Sequence, residues 1–300
     1  MDRLDTWTIF AAVAQQSSFA NAARKLGRSP AAVTRAIADL EERLAMRLLN
    51  RTTRSVSLTD EGARYLDQCQ RVLAEIAELD ATTAGRHQEP RGSLTITAPV
   101  IFGRLHVLPI IDKFLTDHPA VNAKLLLVDR RVSLIEEGID VGLRIGQLAD
   151  SSLRAIRAGE VRRGVYASPV YLRRHGTPKE PHQLAAHACI SFTAITPLAD
   201  RWSFHRESGN FAVTVKPRLI VNTGEAAIDA AVSGIGLTCA LSYQVTQHIA
   251  AGTLRRVLAE YEPPPLPIHV MHPAGRHLPA KVRLFIDDAV KALRAKFAQR

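Results

Sequence analysis

The stretch SPAAVTRAIADLEERL, residues 29–44, decides how the rest of the chain is read. Ser29 suits a helix N-cap, because its hydroxyl can accept from the free N–H groups of the first turn. Pro30 suits the first helical position, where no donor is needed. Val33, Ile37, Leu40 and Leu44 follow at spacings of four, three and four, which sets them on one helical face. Ala31, Thr34, Arg35 and Asp39 fall elsewhere. One face packs, and the front is left over.

Upstream, Ser17-Ser18 caps a second apolar pattern, FANAARKL, in which Ala20 and Ala23 are small enough for a neighbouring helix to come close, and Gly27 supplies the turn. Leu4, Trp7, Phe10, Val13 and Ala14, with Ile9 at the margin, form an earlier amphipathic segment that can close a three-helix core. A helix–turn–helix inside such a unit is the usual way to set a helix N-terminus in the major groove. Downstream, Leu48, Leu49, Val56 and Leu58 flank the polar tip Asn50-Arg51-Thr52-Thr53-Arg54-Ser55, which reads as a short hairpin. An arginine-tipped hairpin beside a helix–turn–helix reads as a wing that grips phosphates or enters the minor groove; solvated surface charge is the plain alternative.

This order of elements, SPAAVTRAIADLEERLAMRLLNRTTRSVSLTDEG, resembles the N-terminal winged helix–turn–helix of the LysR-type transcriptional regulators, from about Leu4 to Gly62, with a weaker resemblance to the C-terminus. The resemblance implies that Pro30, Ala31, Thr34 and Arg35 meet base edges, with Ser29, Arg51, Thr53 and Arg54 completing the DNA-contacting set. One departure stands out. Where the family often has glutamine after the serine, this chain has Pro30, which has no side-chain donor or acceptor, so apolar contact with a thymine methyl would replace that base contact.

The formal net charge of +10 fits a polyanionic partner without naming one. Residues 24–54 are locally basic, yet much of the excess lies in the C-terminal two-thirds, which suits further DNA contact or an acidic small molecule. Cys69, Cys189 and Cys239 are far apart, with no CxxC pair, and each sits in an apolar run; a reduced cytosolic chain with buried structural thiols is expected. A redox switch, which the family resemblance also allows, is the alternative. The N-terminus MDRLDTWTIF lacks the form of a signal peptide and no apolar run spans a membrane, so a cytoplasmic location with no membrane partner is expected.

Thr59 can cap a helix over 60–83 in which Leu66, Cys69, Leu73 and Ile76 repeat at three and four, the pattern of a helix that pairs with a copy of itself. Two reading heads would match a two-fold related promoter site; packing on its own domain is the alternative. Residues 85–91 read as a hinge. Beyond it, the strands SLTITAPV, VNAKLLLV and DVGLRIG alternate with helices over 104–116 and 132–137, which predicts a parallel sheet with ligands at its carboxyl ends. A second lobe holds the strands GVYAS, ACISF, FAVTV, RLIVNT and GIGLTCAL and a helix over 225–232, after which LPIHVMHP and a helix over 280–298 return to the first lobe.

The expected organisation is thus a winged helix–turn–helix domain (1–58), a linker helix for dimerisation (59–84), a hinge (85–91), and an α/β effector domain with lobe I over 92–163 and 266–300 and lobe II over 164–265. By resemblance the effector domain is the two-lobed, periplasmic-binding-protein-like kind. Residues 98–103, including Pro99, Val100, Ile101 and Phe102, and Asn222-Thr223-Gly224-Glu225 each lead from a strand into a helix and offer free N–H groups, a setting that suits a carboxylate or another anion. The resemblance adds Arg144, Thr193 and Thr196. For each of these residues capping or packing is the plain alternative. No cofactor, metal site or catalytic set is expected: Gly234-Ile235-Gly236 lacks a third glycine, and His269, His272 and His277 have no close cysteine or carboxylate. The resemblance implies a small-molecule effector, a homodimer, a homotetramer and RNA polymerase as a further partner. An enzyme that closes over a substrate and a ligand-independent architectural DNA binder are the rivals from other classes.

Overall fold

The computed structural model describes residues 2–51, 56–83, 89–148, 153–193, 200–274 and 278–298. It forms two compact units, Met1–Ser93 and Leu94–Arg300.

In the first unit, α1 (Arg3–Gln16), α2 (Phe19–Leu26) and α3 (Pro30–Leu44) are each stopped by a left-handed residue: Ser17, Gly27 and Ala45 have φ of 47°, 64° and 51°. Ser18 and Ser29 cap the second and third helices, accepting from the Asn21 and Ala32 N–H groups. Val33, Ile37 and Leu40 are buried as their spacing predicts, and each contributes on the order of 1.5–3 kcal/mol by leaving water. The buried face of α1 is rotated from the expected one. Thr6, Ile9, Phe10 and Val13 are inside, because α1 is covered by α2, α3 and the long helix together rather than from one side. Ala20 is exposed, and it is Ala22 and Ala23 that allow α2 its close approach.

The wing consists of β1 (Leu49–Arg51) and β2 (Val56–Leu58), antiparallel, with Leu49 opposite Leu58 and Arg51 opposite Val56. The wing-tip residues Thr53 and Arg54 lie outside the described residues. Thr59 then caps α4 (Asp60–Thr83), its Oγ1 accepting from Gly62 N at 2.9 Å. Here one expectation needs restating. Cys69 is buried in the core beneath α1, where Trp7 Nε1 donates to Tyr65 Oη at 2.8 Å, and Leu66, half-buried, packs against that core, so this first part of the stripe helps hold the head together. Leu73 and Ile76, one and two turns farther on, are half-buried. The expected hinge lies largely outside the described residues.

The second unit has two five-stranded sheets. Its elements are β3 (Gly92–Ala98), α5 (Val100–Phe102), a π-turn at Gly103–Val107, α6 (Leu108–Asp117), β4 (Val121–Leu127), β5 (Val141–Ile145) and β6 (Leu153–Val161). There follow β7 (Arg163–Ala167), α7 (Pro169–His175), β8 (Cys189–Phe192), β9 (Arg201–Arg206), β10 (Gly209–Thr214), β11 (Pro217–Val221), α8 (Gly224–Val232) and β12 (Leu237–Leu241). Last come α9 (Thr246–Ala250), β13 (Arg255–Val257), β14 (Leu266–Pro273) and α10 (Ala280–Phe297). The sheet orders are β4-β3-β5-β14-β6 in lobe I and β11-β8-β12-β7-β13 in lobe II. The chain leaves lobe I between β6 and β7 and returns at β14, which inserts antiparallel between β5 and β6.

Four expectations change. The segment 132–137 is one turn rather than a helix: Leu134 and Ile139 turn into the core and Gly138, at φ 63°, ends it. The sheets are mixed, since only β3–β5, β8–β11 and β8–β12 pair in parallel among the pairings described. FAVTV lies outside the lobe II sheet; as part of β10 it pairs with the unexpected β9 to form a hairpin. The first crossover helix also starts earlier, at Val100, and passes through the π-turn where Gly103 lets it approach β4; a Cβ there would lie 2.1 Å from the Leu127 side chain.

Candidate DNA-reading surface and effector cleft

At the front of α3 the five residues expected to face DNA are all exposed. Their polar groups are not equally available. Ser29 Oγ already accepts from Ala32 N at 3.2 Å, and Thr34 Oγ1 donates to the Pro30 carbonyl at 2.9 Å. Pro30 and Ala31 offer only apolar surface. Arg35 carries the one cationic fork of the set, with no ion pair among the described residues. Arg51, expected at the tip of the wing, is held in: its Nη2 lies 2.7 Å from Glu41 Oε2, and its Cζ lies 5.1 Å from the Phe19 ring centroid.

In lobe I, three strand ends converge. Asp129, after β4, accepts from Val100 N at 3.1 Å, so the N–H expected to be free at this helix start has a carboxylate on it already. Burial pushes the Asp129 carboxyl up, against the opposing pull of that N–H and of Arg144. Arg144 Nη1 donates to Leu143 O at 2.9 Å and Nη2 to Thr97 Oγ1 at 3.5 Å. Burial holds its guanidinium below the usual range, and Asp129 and Glu137 resist that. Of its five donors, two are thus used among the described residues. Ile101 and Phe102 are buried, contrary to a role lining an open cleft, because they form the seam between the lobes. Ile101 Cδ1 is 3.1 Å from where a Gly224 Cβ would sit, and Phe102 meets Tyr243 edge-on at 5.3 Å. On the lobe II side Thr193 N donates to Val221 O at 3.0 Å, which brings Thr193 beside Asn222 and Thr223. Thr223 caps α8 through Ala226 N at 3.4 Å. Thr196 lies outside the described residues.

Sequence reasoning passed over Asp129, Thr97 and Tyr243. Asp129 and Thr97 had a signal, since each stands at the carboxyl end of a strand. Tyr243 had none.

The thiols are set for packing. Burial pushes Cys69 up to about 11 and Cys189 to about 12, and raises half-buried Cys239 as well, which favours the thiol over the reactive thiolate. His269 and His272 are three residues apart on β14 and so fall on opposite faces of the strand; His277 lies outside the described residues.

The π-turn places His106 against Phe102, Tyr243 and Phe297, at ring distances of 5.1, 5.4 and 4.9 Å, with both ring nitrogens enclosed and unpartnered among the described residues. Burial, then the charge of Lys296, brings its imidazole down to about 4. The unfolded chain takes up that proton near its ordinary value of 6.5 and the folded one does not, so the stabilising contribution is whole above that value and is lost as pH falls toward about 4. His187 and His269 are depressed by burial and act in the same sense. The melting temperature is expected to fall between about pH 7 and about pH 5, and less steeply in His106→Phe; parallel curves for the two proteins would show that His106 is not the group responsible.

Two family profiles match nearly the whole chain. The profile of the bacterial regulatory helix–turn–helix protein, LysR family, matches residues 4–63, and that of the LysR substrate binding domain matches 87–294. The chain belongs to the LysR family. It is a LysR-type DNA-binding transcriptional regulator with an effector-binding domain. The regulator is 35% identical to the HTH-type transcriptional regulator CrgA of Neisseria meningitidis over 290 residues, 95% of each chain. It is 34% identical to an HTH-type transcriptional repressor of Pseudomonas aeruginosa, covering 96% of this chain and 91% of that one. The solved structure of CrgA superposes with a TM-score of 0.62 at 33% identity, over 96% of this chain and 98% of that one. That of the Vibrio cholerae virulence activator AphB does so with 0.61 at 27%, over 97% and 99%.

Proposed function

We propose that this regulator works in the cytoplasm as a homodimer, joined through the far part of α4 at Leu73 and Ile76, with homotetramers built from such dimers. It reads a two-fold related promoter site with the front of α3 and the wing, and RNA polymerase is its further partner there. A small anionic effector binds between the lobes and favours one lobe arrangement over the other, which alters the geometry of the two heads on DNA. The effector site is assigned binding and no turnover. Among the candidate effector residues, Arg144, Thr193, Asn222 and Thr223 provide its polar contacts; Pro99 and Val100 border it, and Ile101 and Phe102 support the seam behind.

The observation that carries this reading is Arg144, a half-buried guanidinium with donors unused among the described residues, between Thr97 and Asp129 at the carboxyl ends of the lobe I strands. The test is a footprint on the DNA upstream of the regulator's own gene, at low and high salt, with and without a panel of small carboxylates and phosphates. Two dyad-related patches that survive the higher salt are expected, and at least one anion should change their spacing or the reactivity between them. In Arg144→Met the patches should persist and the response to that anion should disappear. Diffuse protection erased by salt would leave only a basic protein on a polyanion. A full anion response in Arg144→Met would remove the anion assignment and leave the DNA assignment standing.

A further inference from the structure

Among the described residues, the hydrogen bonds that tie the wing to the recognition helix converge on one side chain. Glu41 lies on the last turn and a half of α3, and its side chain is 15% exposed. Its Oε1 accepts from Leu48 N at 2.8 Å and from Leu49 N at 3.0 Å, the two residues that open the wing. Its Oε2 takes the Arg51 Nη2 at 2.7 Å, and Arg51 in turn covers the Phe19 ring of α2. Each wing strand is three residues long, too short for a two-stranded ribbon to hold its own shape in water. Apolar contact fixes one side of it, through buried Leu48 and Leu49. The polar side is fixed by this carboxylate, whose bonds to N–H groups and to a guanidinium are of the charge-assisted, short kind.

We propose that Glu41 is a positioning residue for DNA recognition: it holds the wing in a fixed register on the recognition helix, so that base contacts from α3 and phosphate contacts from the wing are made in one rigid frame. This rests on the reading of the wing as a DNA-contacting element. The two backbone contacts require reach and an acceptor oxygen, and the charge serves the Arg51 pair. Two adjacent backbone donors must be met by one oxygen at the end of a two-methylene arm; glutamine retains that oxygen and that length, whereas aspartate stops one carbon short. Among the described residues Glu41 is the α3 side chain that takes Leu48 N and Leu49 N, and Arg51 released from Glu41 is an exposed cation whose pairing is worth little by itself.

The experiment uses the full chain and an operator selected from random-sequence DNA by the wild-type protein. Hydroxyl-radical footprints and the salt dependence of affinity are read for wild type, Glu41→Ala, Glu41→Gln and Glu41→Asp, each checked for folding by circular dichroism. Within each of the two dyad-related patches wild type should protect a central reading segment and its flanks. Glu41→Ala should lose flank protection, bind about tenfold more weakly and show a shallower salt slope, while base preference in the central segment stays as it was. Glu41→Gln should restore the flanks, and Glu41→Asp should resemble alanine. Should Glu41→Ala fail to fold, the aspartate and glutamine variants carry the same contrast. Flank protection and salt slope unchanged in the aspartate or alanine variant overturn the proposal, as does a glutamine variant that restores nothing. Absence of flank protection in wild type instead overturns the wing reading itself, and the proposal with it.

Discussion

Arg35→Ala is expected to lower affinity for a selected operator by roughly ten- to a hundredfold while leaving affinity for random DNA within about twofold. The inference comes from what its neighbours on α3 cannot do. Ser29 is engaged as a cap, the Thr34 hydroxyl proton is directed at the Pro30 carbonyl, and Pro30 and Ala31 have no polar side-chain atoms. Arg35 is exposed one turn into the helix, and its planar fork can take the two acceptors that guanine presents in the major groove. Arg35→Lys separates this from plain charge attraction, because lysine keeps the charge and loses the fork; specificity should fall nearly as far as with alanine. The measurement is a competition titration of both DNAs at one salt concentration. Equal losses on both would make Arg35 a phosphate contact and would leave base reading to Thr34 and to apolar contacts with thymine methyls.

How far such a site can be read ahead of the fold depends on the range of the interactions that build it. The caps at Ser18 and Ser29, the turn at Gly27 and the buried stripe of α3 are local, so spacing and residue type sufficed. Ile9 was placed at the margin and is 1% exposed, because the number of neighbours around α1 is a property of the tertiary fold and no period in the sequence encodes it. Arg51 looked like a free cation for the same reason: its partner is ten residues back, on another element. In the second unit, β6 escaped notice since Arg154 and Arg157 break the apolar alternation on an edge strand with one open side. The return of the last strand to lobe I was legible because lobe II offered it no sequence partner, and its antiparallel insertion beside β5 was not. Helix starts were legible as possible anion sites, yet occupation of one by Asp129 depends on a contact across 29 residues.

Gly62→Val should unfold the winged head selectively. A Cβ at Gly62 would lie 2.0 Å from the Leu48 carbonyl oxygen and 2.8 Å from its carbon, both backbone atoms. Neither can move away at small cost. Leu48 O accepts from Thr59 N at 3.0 Å, Leu48 N is held by Glu41, and the Leu48 side chain is fully buried. Gly62 itself is fixed through its own N–H, which donates to the Thr59 cap. Adding a branched side chain therefore forces the wing off the start of α4, at an overpacking cost of about 3 kcal/mol or more. For a unit of this size that is a fall in melting temperature of about 10–20 °C. Calorimetry of the full chain tests the selectivity, because the two units have separate cores. The transition of the head should shift or vanish and that of the second unit should stay in place. Gly27→Ala supplies the contrast: no atom lies within 4 Å of its Cβ position, so only the left-handed backbone, at φ 64°, opposes the substitution. Its cost should be about 1–2 kcal/mol. A Gly62→Val head that melts as late as the Gly27→Ala head would show that the wing can slide along α4, and the rigid seating of the wing would have to be abandoned.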